Sequence, residues 1–244
     1  MQSGCDEILI IVPPAEVGPF VDLLGDGSRL GISIQYKEQP LARGIADAML
    51  IGADFIDGDD VCLVLGDNIF FSEDWRHKLR TAAENKSGAT VFGIWVEDPR
   101  PFGVVEFDES GKAVSIEEKP ARPRSNYIIP GLYFYDSSAV EIAEKLEPSA
   151  RGELEITDVN IEYMRRGQLS VVPLEKGFTW MDAGTADTLY MATGIVRDIQ
   201  QRTGKIIGCI EEDAYRGGLI TKEQLCRNGQ EFATANYGKY LLKL

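Results

Sequence analysis

The sequence predicts an α/β fold: a doubly wound, mostly parallel mixed sheet with an inserted β-hairpin region and a helical C-terminal extension. Three observations predict it. Over residues 1–98, near-continuous apolar runs alternate with stretches of helical spacing, as strands buried on both faces of a wound sheet do. The rhythm changes at Pro99, where two alternating segments flank the turn-forming stretch 108–112, a hairpin signal. Beyond residue 185 apolar residues recur at helical spacing. The chain therefore reads as one domain in three parts, 1–98, 99–185 and 186–244.

The elements follow in order. Residues 7–12 (Glu-Ile-Leu-Ile-Ile-Val) form a strand stopped by Pro13-Pro14, and 25–28 a loop. Residues 32–37 alternate as a strand running into Gln39. Gly44 then opens a helix whose inward face holds Ile45, Ala48, Met49, Gly52 and Phe55. A strand over 60–65 breaks at Gly66 and presents Asp67 and Asn68 beyond its C-terminal end. A helix over 74–85 and a strand over 89–96 complete the first part. In the hairpin, period two places Val114, Ile116 and Glu118 on one face, a carboxylate on an apolar side that asks for a partner or a ligand. Lys119 follows on the opposite face unless the strand end is distorted. Residues 126–135 are a strand interrupted at Pro130-Gly131, where glycine lets a ligand approach the backbone. A short helix carries Ala139, Ile142, Ala143 and Leu146. The charge-dense stretch 151–158 leads into a helix with Val159, Tyr163 and Met164 inward, then a strand over 170–173. Asp182 stands at a strand-to-helix turn. The next helix faces inward through Leu189, Ala192, Ile195, Val196 and Ile199 and stops near Gly204. Thr221 with Gln224 fits a capping box for one more helix.

Composition excludes several classes of function. Lys and Arg total 25 against 39 Asp and Glu, a net charge of -14 over 244 residues. No basic excess serves phosphate contacts with nucleic acid or an anionic membrane. No apolar run approaches the roughly 20 residues of a membrane span, and the expectation is a cytoplasmic protein. Cys5, Cys62, Cys209 and Cys226 are scattered without metal-ligand spacing and read as mostly buried, reduced thiols. His77, the one histidine, sits in a polar helical stretch and leaves no room for a histidine-rich zinc site.

The 60–69 stretch is the centre of the functional reading. A carboxylate just past a strand's C-terminal end, with a carboxamide beside it, lies at the sheet edge where ligands bind and suits Mg²⁺. Gly-Asp-Asn is equally good turn chemistry, and both readings stand at this point. The Gln39 amide offers a donor and an acceptor that could read a base edge, and Gly44 permits close backbone approach. Asp67 and Asp182, each at a strand end, could hold one Mg²⁺ together.

Seven segments in this order resemble the bacterial glucose-1-phosphate thymidylyltransferases, members of the sugar nucleotidyltransferases. They are LLGDGS (23–28), VLGDNIF (64–70), FGVVEFD (102–108), SIEEKP (115–120), GLYFYD (131–136), PSARGELEITD (148–158) and DAGT (182–185). The resemblance covers essentially the whole chain. It implies a nucleotide-diphospho-sugar transferase fold, dTTP and glucose 1-phosphate as substrates, a homotetramer, and a place in deoxysugar synthesis such as that of rhamnose. It implies Asp67 and Asp182 as catalytic Mg²⁺ ligands, with Gln39, Gly44 and Asp67 at the nucleotide. Gly103, Glu118, Lys119 and the backbone from Ile129 to Gly131 would hold the sugar phosphate. Two departures touch that site: Phe102 in place of the family's usual tyrosine, and Pro130 in place of its threonine. The resemblance also implies a strand, a glycine-rich loop with an arginine, and a helix ahead of residue 1. Their absence from the 244 residues leads to the expectation of a truncated chain, weakly active or inactive. Two alternatives are a non-catalytic binding relative and a related enzyme using UTP or another sugar phosphate.

Overall fold

The computed structural model describes residues 1–175 and 177–244, and the chain forms two units, Met1–Glu38 with Asp182–Leu244, and Gln39–Met181. The expected 98/99 division falls inside the second unit. In the first, β1 (Glu7–Val12) is followed by α1 (Val17–Leu24) and by β2 (Ser33–Glu38), which pairs parallel to β1. Helix α1 is absent from the sequence reading, and Gly18 and Pro19 are poor helix formers. Proline is nevertheless tolerated in a first turn, where its missing N–H costs no intrahelical bond.

The second unit opens with α2 (Asp47–Ile51) and α3 (Ala53–Ile56), so the single helix expected from Gly44 starts later and breaks at Gly52. Strands β3 (Val61–Val64) and β4 (Asn68–Phe71) bracket the Gly66-Asp67 turn, and α4 (Trp75–Ala83) follows. Next come β5 (Ala89–Trp95) and the hairpin of β6 (Gly103–Phe107) with β7 (Ala113–Glu118). The kinked strand is β8 (Tyr127–Ile129) and β9 (Leu132–Tyr135), leading to α5 (Ala139–Glu144) and α6 (Ile156–Arg165). Strands β10 (Leu169–Pro173) and β11 (Thr179–Asp182) close the unit.

The main sheet runs β3-β9-β5-β8-β6-β7, with β10 alongside β5, while β4 and β11 form a separate ribbon. The mixed α/β architecture is as expected, but the parallel majority is not. Among the described residues, the parallel pairs with assigned register are β1–β2 and β10–β5; the pairs β3–β9, β5–β9, β5–β8, β6–β8 and β6–β7 are antiparallel. The cause is the 126–135 segment. It runs antiparallel along β5, first as β8 and then as β9, and inserts β9 between β3 and β5.

Burial on both faces, the observation behind the parallel reading, holds for β5 and is found in β9, but not in β1, none of whose residues is fully buried, nor in β3, where Val64 is 56% exposed. Along β9, Tyr133 and Tyr135 enter one core with Val91, Ile142, Val159 and Tyr163. Leu132 and Phe134 enter the opposite core with Phe92, Ile128, Trp75 and Leu79. Helices α2, α5 and α6 supply the first layer and α4 the second.

The hairpin departs from strict alternation. Its register pairs Glu106 with Ser115 but Phe107 with Ala113, so Val114 is an extra residue, a β-bulge. Val114 is therefore exposed rather than on the Ile116 face, and Ala113 is buried in its stead.

The first unit resumes with α7 (Ala186–Thr203), α8 (Ile210–Arg216), α9 (Lys222–Glu231) and α10 (Asn236–Leu241). Helix α9 carries the expected capping box between Thr221 and Gln224, and Gly204 closes α7 in the left-handed conformation. On α7 only Ala192 and Ile199 of the expected inward face are buried; Leu189 and Ile195 are exposed. The core of this unit joins Leu30, Ile32 and Ile34 to Cys209, Ala214, Ile220, Leu225 and Leu241. All four cysteines are free, but only Cys209 is buried. No helix among the described residues is long and apolar enough to cross a membrane.

Candidate active site

Three neighbouring strands bring Glu118, Gly103 and Ile129 into one row, since Gly103 of β6 is opposite Glu118 on β7 and Ile129 on β8. A Cβ at Gly103 would lie 3.0 Å from Thr157 Oγ1 and 3.4 Å from Glu118 Oε2. Glycine is thus what lets the Thr157 hydroxyl, at the start of α6, donate to the Glu118 carboxylate. The face problem at the strand end is solved by the backbone. Lys119 has φ +43°, with its N–H on the Phe102 carbonyl at 3.0 Å, and its Nζ lies 3.9 Å from Glu118 Oε1. A left-handed lysine costs on the order of 1 kcal/mol, and here it places ammonium and carboxylate together.

Arg151 reaches the same carboxylate, with Nη1 3.9 Å from Glu118 Oε1, and also pairs with Glu153 and with Glu155, its Nε 3.4 Å from Glu155 Oε1. Glu155 is buried and accepts from Ser149 Oγ at 2.8 Å. The 149–157 segment is thereby held on the site. Its other side is fixed at Gly44, where Ala46 N donates to the Leu154 carbonyl and Leu154 N to that of Arg43. Gly44 has φ +104°, and a Cβ there would sit 2.3 Å from the Leu154 carbonyl oxygen. The close approach expected of Gly44 is therefore made by the protein's own backbone. Beside it, Gln39 Nε2 donates to Asp47 Oδ2 at 3.0 Å, and Arg43 Nη2 to Asp47 Oδ1 at 2.6 Å. Asp47 is 1% exposed; its carboxylate, paired with Arg43, accepts from the Gln39 amide and fixes that amide's orientation.

Asp67 is exposed in the turn after β3. Asn68 Nδ2 donates to Asp67 Oδ1 at 2.8 Å, while Asn68 Oδ1 accepts from Gly131 N at 3.0 Å and from Trp180 Nε1 at 2.7 Å. Gly131 is also held by Leu65, whose N–H donates to its carbonyl at 2.9 Å and whose side chain would lie 2.6 Å from a Cβ. The space where a Cβ would stand at Gly131 is thus taken by the Leu65 side chain. Tyr133 is buried beneath these groups. Burial first, then the Glu118 and Asp67 carboxylates, push its hydroxyl well above the usual phenol range.

Asp182 ends β11 and accepts from Gly184 N at 2.8 Å through Oδ1. No cluster of three or more His, Cys, Asp or Glu side chains with metal-holding geometry occurs among the described residues. The exposed carboxylate of Asp67, oriented by a carboxamide and next to open solvent, has the oxygen chemistry a hard divalent cation takes.

The sequence reading passed over Thr157, Trp180, Tyr133 and Asp47. For Asp47 a signal existed: a carboxylate between Ala46 and Met49 on an apolar stretch, four residues from Arg43.

Residues 1–198 match the nucleotidyl transferase family. The chain belongs to that family. A glucose-1-phosphate thymidylyltransferase of Neisseria meningitidis is 49% identical over the whole of this chain and 85% of its own length. One from Mycolicibacterium smegmatis is 48% identical over the whole chain and 84% of its own length. A solved structure assigned as a glucose-1-phosphate thymidylyltransferase of Bacillus anthracis, in complex with sucrose, superposes with TM-score 0.73 at 41% identity, over 81% of this chain and 78% of its own. A UDP-glucose pyrophosphorylase complexed with UDP-glucose, 19% identical with TM-score 0.69, shares the fold. As a nucleotidyltransferase, the chain carries its candidate groups on these strand ends.

Proposed function

We propose that the protein transfers a thymidylyl group from dTTP to α-D-glucose 1-phosphate, releasing pyrophosphate and forming dTDP-glucose. The observation that carries this reading is the Glu118-Gly103-Ile129 row with Lys119 turned onto it, in a chain 49% identical to a glucose-1-phosphate thymidylyltransferase. A carboxylate backed by the Thr157 hydroxyl is suited to accept hydrogen bonds from vicinal sugar hydroxyls. The Lys119 ammonium supplies a point charge for the sugar phosphate. Gln39, oriented by Asp47, offers its amide to the thymine edge. Asp67 is a residue that would hold Mg²⁺, and Asp182, on the other unit, is a second candidate carboxylate; the ion when bound would neutralise phosphate charge and lower the cost of displacing pyrophosphate. No nucleophilic side chain is required, because the sugar phosphate oxygen attacks the α-phosphorus and the pyrophosphate oxygen leaves.

The test is anion-exchange analysis of a reaction of purified protein with dTTP, glucose 1-phosphate and MgCl₂, with UTP and galactose 1-phosphate as competitors. Formation of dTDP-glucose, lost on Asp67→Asn and on omission of Mg²⁺, supports the proposal. Calorimetric binding of glucose 1-phosphate without product, or absence of both binding and product, overturns the proposal.

A further inference from the structure

Asn68 carries three hydrogen bonds whose directions are not interchangeable. Two donors, the Gly131 N–H and the Trp180 indole N–H, converge on one oxygen at 3.0 and 2.7 Å. Rotating the amide by half a turn would set its NH₂ against both, so the oxygen must face them. The NH₂ is thereby aimed at Asp67 Oδ1, 2.8 Å away. Among the described residues, no other hydrogen bond or ion pair reaches Asp67, an exposed residue, so Oδ1 is engaged and Oδ2 is not.

We infer that Asn68 is a positioning residue that restricts Asp67 to offering a cation a single oxygen, and so biases the site toward Mg²⁺ over Ca²⁺. The inference rests on the proposed metal role of Asp67 and deepens it. Mg²⁺ demands near-octahedral geometry and is well served by one carboxylate oxygen, the remainder of its shell being water and phosphate. Ca²⁺ accepts both oxygens of a carboxylate in a looser shell. A hydrogen bond on Oδ1 occupies one of its two lone pairs and holds the carboxylate in one orientation, which disfavours the second mode and leaves the first intact. Partners that orient a metal ligand in this way typically contribute 10- to 100-fold to affinity. Trp180 and Gly131 belong to the device because they fix the direction in which the amide points.

The experiment measures retention of Mn²⁺ by electron paramagnetic resonance, with Mg²⁺ or Ca²⁺ as displacing ion, and follows the thermal midpoint of each protein alongside. In the wild type, Mg²⁺ displaces Mn²⁺ at lower concentration than Ca²⁺ does. In Asn68→Ala the Mg²⁺ requirement rises by about 10- to 100-fold, while the Ca²⁺ requirement is unchanged or falls. Trp180→Phe, which leaves Asn68 in place but removes one of the two donors fixing it, shifts the ratio in the same direction by less. It carries the test if Asn68→Ala fails to fold. Equal weakening of both ions, as general loosening of the fold produces, overturns the inference while leaving Asp67 a metal ligand. Mn²⁺ retention that is undetectable, or unaffected by Asp67→Asn, overturns the metal reading and the inference with it.

Discussion

Gly44 and Gly131 look alike in the sequence, each a glycine near a candidate site, yet the structure separates them sharply. Gly44 combines φ +104° with a backbone carbonyl 2.3 Å from where a Cβ would stand. Neither backbone can yield without breaking the Leu154 hydrogen bonds that hold the 149–157 segment. Gly131 has no positive φ, and its close neighbour is the side chain of Leu65. Gly44→Ala is therefore expected to cost about 2 kcal/mol or more, and Leu154→Ala, which leaves the carbonyl in place, to recover none of it. Gly131→Ala is expected to cost about 1–3 kcal/mol. Leu65→Ala in the same chain should return part of it, a coupling of roughly 1 kcal/mol in a double-mutant cycle. Urea midpoints of the single and double variants check both, and equal rescue in the two cycles would refute the distinction. Residue types and their neighbourhood were legible in the sequence at these positions, but what fills the space beside each glycine was not. Leu154 lies 110 positions from Gly44, and Leu65 is 66 positions from Gly131; no local pattern reports contacts over that span.

At the scale of elements, periodicity reported burial in the central strand β5 but not in β1 or β3, and connectivity poorly. The apolar run of β5 is buried on both faces, as read, and so is the aromatic run of β9. Double burial follows from a helical layer on each side and is indifferent to strand direction, so it could not distinguish a parallel sheet from this mixed one. The hairpin shows the complementary failure. Its turn and both strands were legible, but the bulge at Val114 was not, because an inserted residue leaves no mark on composition and reverses the faces beyond it. The bulge carries its own expectation. Val114→Lys should change stability by no more than about 0.5 kcal/mol, as at an ordinary surface site. Ile116→Lys, two residues on, buries an unpaired ammonium against Tyr133 and Val105 and should unfold the second unit or cost several kcal/mol. Circular dichroism melts of the two variants decide it, since equal damage from both would mean the strand alternates without a bulge.

The whole molecule is divided in a way that the linear order conceals. The unit Gln39–Met181 is one continuous segment and contains both faces of the main sheet with their helices, so its two cores are complete within it. The other unit is assembled from two ends of the chain. Its core takes Leu30, Ile32 and Ile34 from the first 38 residues and Cys209, Ala214, Ile220, Leu225 and Leu241 from the last segment, and neither set encloses the other's surface alone. An independent fold needs its own buried core, and a 143-residue segment with two helical layers is within the usual size of one. A fragment of residues 39–181 is therefore expected to express as a folded protein, with dispersed amide resonances and a cooperative urea transition. It should retain the Trp180–Asn68–Gly131 contacts and, with them, a downfield-shifted indole N–H. Fragments 1–38 and 182–244 are each expected to lack fixed structure when alone. Mixing them supplies both halves of the Ile34–Leu225 core at once, and gain of helical circular dichroism on mixing tests whether that core is sufficient to assemble the unit. A disordered 39–181 fragment would show that the second unit draws its stability from outside its own two cores, and that the division of the chain is geometric rather than energetic.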